Sequence, residues 1–114
     1  MEYIAQSSPN LKELVLQGNT FSNRALEHVG KLQGLTDLYV GVGACTIDDR
    51  GLVHLRSLTN LETLGIQQSR VGDAGLRTLA DLPSLKNVLI NGTRVTNSGA
   101  RELQRALPGV MVID

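Results

Sequence analysis

The chain has 114 residues, with eleven basic and eleven acidic side chains, one cysteine and an apolar fraction of 41%. This length suits one domain with a buried core, and the balanced charge argues against a surface that binds nucleic acid or anionic membranes through net charge. One cysteine forms no internal disulfide, no apolar run approaches the ~20 residues of a membrane helix, and no secretory signal opens the sequence. We therefore expect a single cytoplasmic domain over residues 1–114, with no membrane or nucleic-acid partner.

The chain repeats one pattern of apolar residues. The repeats begin with LKELVLQGNTF at Leu11, LTDLYVGVGACTI at Leu35, LETLGIQQSRV at Leu61 and LKNVLINGTRV at Leu85. Their starts are 24, 26 and 24 residues apart, and a fifth start follows 25 residues later at Val110. We assign the repeats to about residues 8–32, 33–58, 59–82 and 83–107, and a terminal strand to 110–113.

Two apolar spacings alternate within each repeat. Leu64 and Ile66 have period two, which predicts a short strand with one buried face. Leu52, Leu55 and Leu58 have threefold spacing, which predicts the buried stripe of a short helix. Small polar pairs precede these tails and are predicted N-caps, with side chains bonded to amides of the first helical turn. The pairs are Ser22-Asn23, Asp48-Asp49, Gly72-Asp73 and Thr96-Asn97.

A strand–helix unit of ~25 residues cannot bury a core alone, so we expect the units to stack. LKELVLQGNTF resembles the leucine-rich repeat signature L-x-x-L-x-L-x-x-N/C-x-L. VGDAGLRTL and VTNSGAREL resemble the T-D-x-G-L-x-x-L helices of bacterial and F-box-associated leucine-rich repeats. The resemblance implies an α/β fold, a right-handed solenoid of about four strand–helix repeats plus a terminal strand. It places a parallel sheet on the concave face and implies protein binding without a cofactor.

The stretch YVGVGACTIDDRG, residues 39–51, contains residue types found in phosphate, thiol and metal sites. Alignment of the repeats places four small polar residues in one column: Asn19, Cys45, Ser69 and Thr93. The resemblance implies a structural ladder, in which this column turns inward after each strand and bonds to backbone at the bend. Cys45 is then a buried structural thiol. The second repeat is two residues longer, and Gly41, Gly43 and Ala44 accommodate a bulge there rather than a dinucleotide.

No catalytic residue and no metal site are predicted. His28 and His54 align on neighbouring helices, but with Glu102 they are too few for a zinc site. Neither histidine has a serine or cysteine at a spacing typical of a nucleophilic triad. Asp48 and Asp49 are interpreted as helix caps rather than as metal ligands.

Residues between the buried strand positions are predicted to face the concave side in three columns. The first column is Glu13, Asp37, Thr63 and Asn87; the middle one is Val15, Tyr39, Gly65 and Leu89; the third is Gln17, Gly41, Gln67 and Asn91. Exposed apolar residues aligned across a sheet suggest an interface, with Tyr39 as its anchor and a dent at Gly65. The alternative is that scattered exposed apolar residues are ordinary.

These observations predict a non-enzymatic module that binds an unidentified protein on its concave sheet face. The alternative is a structural or assembly element, or a fragment of a longer leucine-rich repeat scaffold, that associates through uncapped ends. The predicted terminal strand supports the alternative, because Met111 and Val112 make its edge apolar. Self-association through this C-terminal strand edge is therefore a second expectation.

Overall fold

A computed structural model describes residues 12–17, 23–42 and 47–114 of the chain. Five strands form one parallel sheet in the order of the sequence. They are β1 (Glu13–Gln17), β2 (Asp37–Val42), β3 (Thr63–Gly65), β4 (Asn87–Leu89) and β5 (Met111–Ile113). The helices between them are α1 (Asn23–Val29), α2 (Asp49–Leu52), α3 (Asp73–Thr78) and α4 (Asn97–Ala106). Sequential parallel strands with helical crossovers give the predicted α/β leucine-rich repeat solenoid.

The strands pair with equivalent residues side by side, so each column of the sequence is a column of the sheet. Leu38 lies beside Leu64, Leu64 beside Val88, and Val88 beside Val112. The pairing of β1 with β2 is irregular, because Val15 lies beside Tyr39 whereas Gln17 lies beside Val42. The insertion predicted for the second repeat thus begins inside β2; residues 43–46 lie outside the described residues.

One apolar core lies between the sheet and the helices. Leu38, Leu64 and Val88 of the strands are fully buried, and Leu26, Leu52 and Leu76 of the helices pack in the same cluster. Burial of a leucine side chain contributes about 1.5–3 kcal/mol. Because every repeat adds the same columns to the same core, neighbouring repeats stabilise each other.

The helical segments differ from the regular helices that the leucine spacing predicts. After α2 and α3 the chain continues as 3₁₀ helices, at Val53–Ser57 and Leu79–Asp81. A 3₁₀ helix has three residues per turn, so the threefold leucine spacing keeps Leu55 and Leu79 on the buried side. Leu58 and Leu82 follow the 3₁₀ helices and are also buried.

The two residues of a polar pair have different hydrogen-bond partners, whereas both were predicted to cap the helix that follows them. Asp48 and Thr96 are N-caps, and their side chains accept hydrogen bonds from the amides of Arg50 and Gly99. The second members do not cap their own helices. The Asn23 amide oxygen accepts a hydrogen bond from the Asp48 amide of the next repeat, at 3.1 Å. Asp49 and Asp73 do the same for the amides of Gly72 and Thr96, at 2.7 and 2.8 Å.

We call Asn23, Asp49 and Asp73 the helix-start ladder, because each begins one helix and bonds to the residue before the next. Their side chains occupy the space beside a glycine of the following helix: Gly51, Gly75 and Gly99 respectively. A Cβ built on Gly75 would lie only 2.5 Å from Oδ1 of Asp49. The glycine two residues after the start of each of these helices therefore makes room for the ladder residue of the preceding repeat.

Among residues 12–17, 23–42 and 47–114, no helix is long and apolar enough to cross a membrane.

Candidate functional site: the concave face of the sheet

The middle column of the sheet forms an apolar stripe on the face opposite the helices. Val15 is 42% exposed, and Tyr39 and Leu89 are half-buried. The fifth strand extends the column, because Ile113 lies beside Leu89 and is 41% exposed. Met111 extends the first column beside Asn87 and is 60% exposed. We call Val15, Tyr39, Leu89, Met111 and Ile113 the concave apolar patch.

Sequence reasoning missed the last two members of the patch. It described Met111 only as part of an open edge, and it aligned four repeats rather than five strands. Counting from Val110 as the fifth repeat start would have placed Val112 and Asp114 in the first and middle columns. The register of β4 with β5 instead puts Gly109 in the column of Leu85, one residue before the predicted start, and this brings Met111 and Ile113 into the two columns.

The dent predicted at Gly65 is not present. Gly65 is buried, and a Cβ built there would lie 2.8 Å from Cδ1 of Tyr39 and 2.8 Å from Oε1 of Gln67. The Tyr39 ring and the Gln67 side chain therefore already fill the space that the small residue leaves. The prediction failed because it considered the missing side chain of Gly65 without the reach of a neighbouring aromatic ring across one strand.

Gln67 carries an unusual polar atom at the centre of this face. Its side-chain Oε1 is buried and has no hydrogen-bond partner among the described residues. Rotation of the amide would exchange oxygen for nitrogen and leave a polar atom in the same place. A buried polar group without a partner is unfavourable by about 1–3 kcal/mol.

An acidic pair lies at one end of the concave face. Glu13 and Asp37 are adjacent in the register of β1 and β2. Glu13 is exposed and Asp37 is half-buried, and neither takes part in a salt bridge between described residues. Like charges directly beside each other destabilise a sheet, so this pair is a local electrostatic cost that a cation would relieve.

The other end of the first column borders an open groove of about 680 Å³. Asn87 and Met111 lie on its concave side, and the Glu62 and Lys86 side chains, 3.5 Å apart, lie on its wall. The groove also includes Pro83, Ser84, Leu85 and Gly109. It connects the concave apolar patch with the loops that precede β4 and β5.

The remaining predicted concave residues are placed as follows. Thr63, Gln67 and Asn87 are half-buried, and Asn91 is exposed. The backbones of Gln17 and Gly41 lie in β1 and β2, but their side chains lie outside the described part of the structure.

The predicted structural column contains two described residues. The Ser69 hydroxyl is buried; it donates a hydrogen bond to the Ile66 carbonyl at 2.7 Å and accepts one from the Val71 amide at 3.4 Å. Thr93 makes the same pair of contacts with Ile90 and Val95, although it is half-buried rather than buried. Asn19 and Cys45 lie outside the described residues.

The described helical side contains several ion pairs. Arg77 pairs with Glu102 at 2.9 Å, and Arg56 pairs with Asp81 at 2.9 Å. His54 lies 3.9 Å from Glu27. Within the described ranges, no group of three or more histidine, cysteine, aspartate or glutamate residues is arranged to hold a metal ion.

The strand order and the core together identify the fold. Five parallel strands pair in chain order, helical segments cross between them, and each repeat adds the same leucine columns to one core. The chain has a leucine-rich repeat fold. This architecture confirms the fold that LKELVLQGNTF and its repeats predict.

Solved leucine-rich repeat structures are similar to the chain along nearly its whole length. An internalin from Listeria monocytogenes superposes with a TM-score of 0.65 and 18% identity over 100% of this chain and 37% of its own length. A leucine-rich repeat protein from Leptospira interrogans gives a TM-score of 0.66 and 13% identity over 96% of this chain and 27% of its own. Actin-binding site 2 of leiomodin-1 gives a TM-score of 0.70 and 12% identity over 98% of this chain and 74% of its own length. The sequence matches no protein-family model and no curated protein.

This chain spans a little over a third of the length of the internalin and about a quarter of the length of the Leptospira protein. At these identities the likeness concerns the fold.

Proposed function

We propose that this chain is a non-enzymatic protein-interaction module and that its partner binds the concave face of the sheet. The observation that carries the proposal is the concave apolar patch, in which apolar side chains from four of the five strands are aligned on a face that no described element covers. Exposed apolar patches of this kind mark interaction surfaces in soluble proteins.

The spacing of the sheet limits the shape of the partner. Parallel strands lie ~4.8 Å apart, so the stripe from Val15 to Ile113 is roughly 19 Å long. A helix of about 13 residues, or an extended segment of about six, covers this length. The partner segment therefore needs apolar side chains along its length, which pack against the exposed Val15 and Ile113 at the ends of the stripe and the half-buried Tyr39 and Leu89 at its centre.

The acidic pair adds a charge requirement. A lysine or arginine of the partner placed over Glu13 and Asp37 would relieve their mutual repulsion. We therefore propose an apolar segment with a basic residue at one end. Arginine suits this position best, because its planar group can bond to both carboxylates.

The test is affinity capture from a lysate of the organism that makes the protein, with three folded forms of the chain as bait. The wild type is compared with Tyr39→Ala/Leu89→Ala and with Val53→Ala/Arg105→Ala, a matched change of two exposed helical residues. The proposal expects a partner that the wild type and the helical variant retain and the concave variant loses.

A second comparison tests the charge requirement on the captured partner. Asp37→Asn and Glu13→Gln should each weaken binding, and added salt should reduce the difference between these variants and the wild type because it screens exposed charges. A partner retained equally by wild type and concave variant would contradict binding on the concave face. Binding insensitive to Glu13 and Asp37 would contradict the basic segment while leaving the apolar contact intact.

A further inference from the structure

At the open edge of β5, the backbone N–H and C=O groups are oriented so that a second copy of this chain could bond to them. The Met111 amide donates to the Lys86 carbonyl at 2.7 Å, and the Ile113 carbonyl accepts from the Ile90 amide at 2.8 Å. Residues 111 and 113 therefore direct their backbone groups toward β4. Because these directions alternate along a strand, the N–H and C=O of Val112 point away from the sheet.

We infer that two copies of the chain associate through antiparallel pairing of β5 with β5, with Val112 on the two-fold axis. In this arrangement each Val112 donates its N–H to the C=O of the other copy's Val112, which is the hydrogen-bonded pair of an antiparallel ladder. The two sheets then join into one of ten strands. Met111 and Ile113 belong to the concave apolar patch as well, whereas Tyr39 and Leu89 do not lie on the β5 edge, so changes at Tyr39 and Leu89 separate the two proposals.

The side chains on either side of Val112 suit this symmetry. Antiparallel pairing about Val112 places Met111 of one copy directly opposite Ile113 of the other, twice. Met111 and Ile113 are the exposed large apolar residues of β5, at 60% and 41%. Apolar pairs directly opposite each other stabilise antiparallel strands, and they are closest at such non-hydrogen-bonded sites.

The chemistry of this end fits a second copy better than one more leucine-rich repeat. By register, Asp114 occupies the column of Ile66 and Ile90, which are 0% and 6% exposed. Another repeat stacked in the same way would bury the Asp114 carboxylate in the apolar core, where an unpaired charge is strongly unfavourable. A small residue, Ala100, likewise stands in the column of the buried Leu76.

Because Asp114 and Ala100 stand where other repeats have large apolar residues, this end of the chain has a groove with a polar rim. The groove has a volume of about 370 Å³ and is lined by Ile90, Ala100 and Val112, with Asn97, Arg101, Gln104 and Asp114 at its rim. Arg101 and Asp114 are exposed and form no salt bridge with a described residue. One cation and one anion per copy make the surface neutral when two copies meet, as self-association requires.

The experiment measures the mass of the full chain by sedimentation velocity from about 1 μM to about 1 mM, a range that covers weak association. Wild type should pass from monomer to dimer. Val112→Pro removes the outward N–H without removing a hydrogen bond to β4, and it should shift the midpoint of dimerisation at least about tenfold upward. Val112→Thr keeps the N–H and the shape, and it should dimerise as the wild type does. Circular dichroism checks that each variant is folded.

A second pair of variants does not depend on the backbone of β5. Met111→Lys/Ile113→Lys places lysines directly opposite each other and should abolish the dimer, whereas Met111→Lys/Ile113→Glu places opposite charges there and should retain it. Both positions are exposed, so the fold tolerates either change. A monomer at every concentration, open-ended oligomers, or a dimer unaffected by the double lysine would overturn the inference. Tyr39→Ala/Leu89→Ala should dimerise normally, which separates this result from the concave-face proposal.

Discussion

Asp73 holds the start of the helix that follows its own. Its Oδ1 accepts a hydrogen bond from the Thr96 amide at 2.8 Å, and its Oδ2 accepts one from the Thr96 hydroxyl at 2.6 Å. Thr96 in turn caps α4 by accepting from the Gly99 amide. One carboxylate therefore links the N-termini of two neighbouring helices, and the same link recurs at Asn23 and Asp49.

The Asp73 contact predicts a pH dependence of stability. Hydrogen bonds from the hydroxyl and then the amide of Thr96 lower the pKa of Asp73 below its ordinary value of 3.8. A depressed pKa in the folded state means that the ionised carboxylate favours folding. This contribution is present above the unfolded-state pKa and is lost as the pH falls through the folded-state pKa.

Urea unfolding of the wild type and Asp73→Asn between about pH 7 and about pH 2.5 measures this contribution. The wild type should be the more stable protein at neutral pH, and the difference in the free energy of unfolding should shrink below about pH 4, because asparagine does not titrate. Two curves that remain parallel down to the lowest pH would show that the Asp73 charge does not contribute.

The helix-start ladder predicts an interaction between Asp49 and Gly75. Alanine is normally favoured over glycine within a helix by about 1 kcal/mol. Here Gly75→Ala should instead lower the free energy of unfolding by about 1–3 kcal/mol, because the new Cβ would overlap the Asp49 carboxylate. In an Asp49→Ala background the cost should fall by about 1 kcal/mol or more, as a double-mutant cycle would show.

Gly34→Ala is the control for this cycle, because a Cβ at Gly34 would meet no atom within 4 Å. It should change stability little, and Asp49→Ala should not alter its effect. Equal costs for Gly75→Ala with and without the Asp49 carboxylate would rule out the proposed steric reason for the glycine.

The central repeat predicts a large effect of a core truncation. Leu64 is fully buried between Leu38 and Val88 in the sheet. Leu64→Ala should lower the free energy of unfolding by about 2–5 kcal/mol, since it removes apolar contacts with both neighbouring repeats and leaves a cavity. Val53→Ala, at a position 47% exposed, should cost less than about 1 kcal/mol in the same urea titration. A Leu64→Ala cost as small as that of Val53→Ala would contradict the register of β3.

The hydroxyl of Ser69 predicts a requirement for a polar atom at the bend after β3. Ser69→Ala should destabilise the protein by about 1–3 kcal/mol, because the Ile66 carbonyl and the Val71 amide lose their partner in a buried place. Ser69→Thr keeps the hydroxyl and matches the residue at Thr93, so it should cost less than Ser69→Ala. Thermal or urea unfolding distinguishes the two; equal costs would mean that the hydrogen bonds contribute nothing.

The repeat period and its apolar columns were sufficient to predict the fold from the sequence. Leu64 in β3 and Ile66 just after it are both buried, and the leucines of the tails are buried as their threefold spacing indicates. Each column recurs at an interval of ~25 residues, so the strand, the crossover and the next strand follow from local pattern and chain order. Alignment also predicted which strand residues face away from the core.

The contacts between repeats were not predicted from the sequence, because they depend on distances between residues of different repeats. The sequence predicted that Asp49 and Asp73 cap their own helices. In the folded chain their carboxylates instead accept hydrogen bonds from the following repeat. The sequence predicted an empty space at Gly65, but the Tyr39 ring on the neighbouring strand fills it.

The amino-acid sequence by itself determined the leucine-rich repeat architecture, because hydrophobic periodicity depends only on the order of residues along the chain. Tertiary structure decided which polar side chains link repeats, which apolar side chains remain exposed, and which backbone groups of β5 point outward. These depend on the stacking of one repeat against the next, where side-chain reach and hydrogen-bond direction act across residues that are about 25 positions apart.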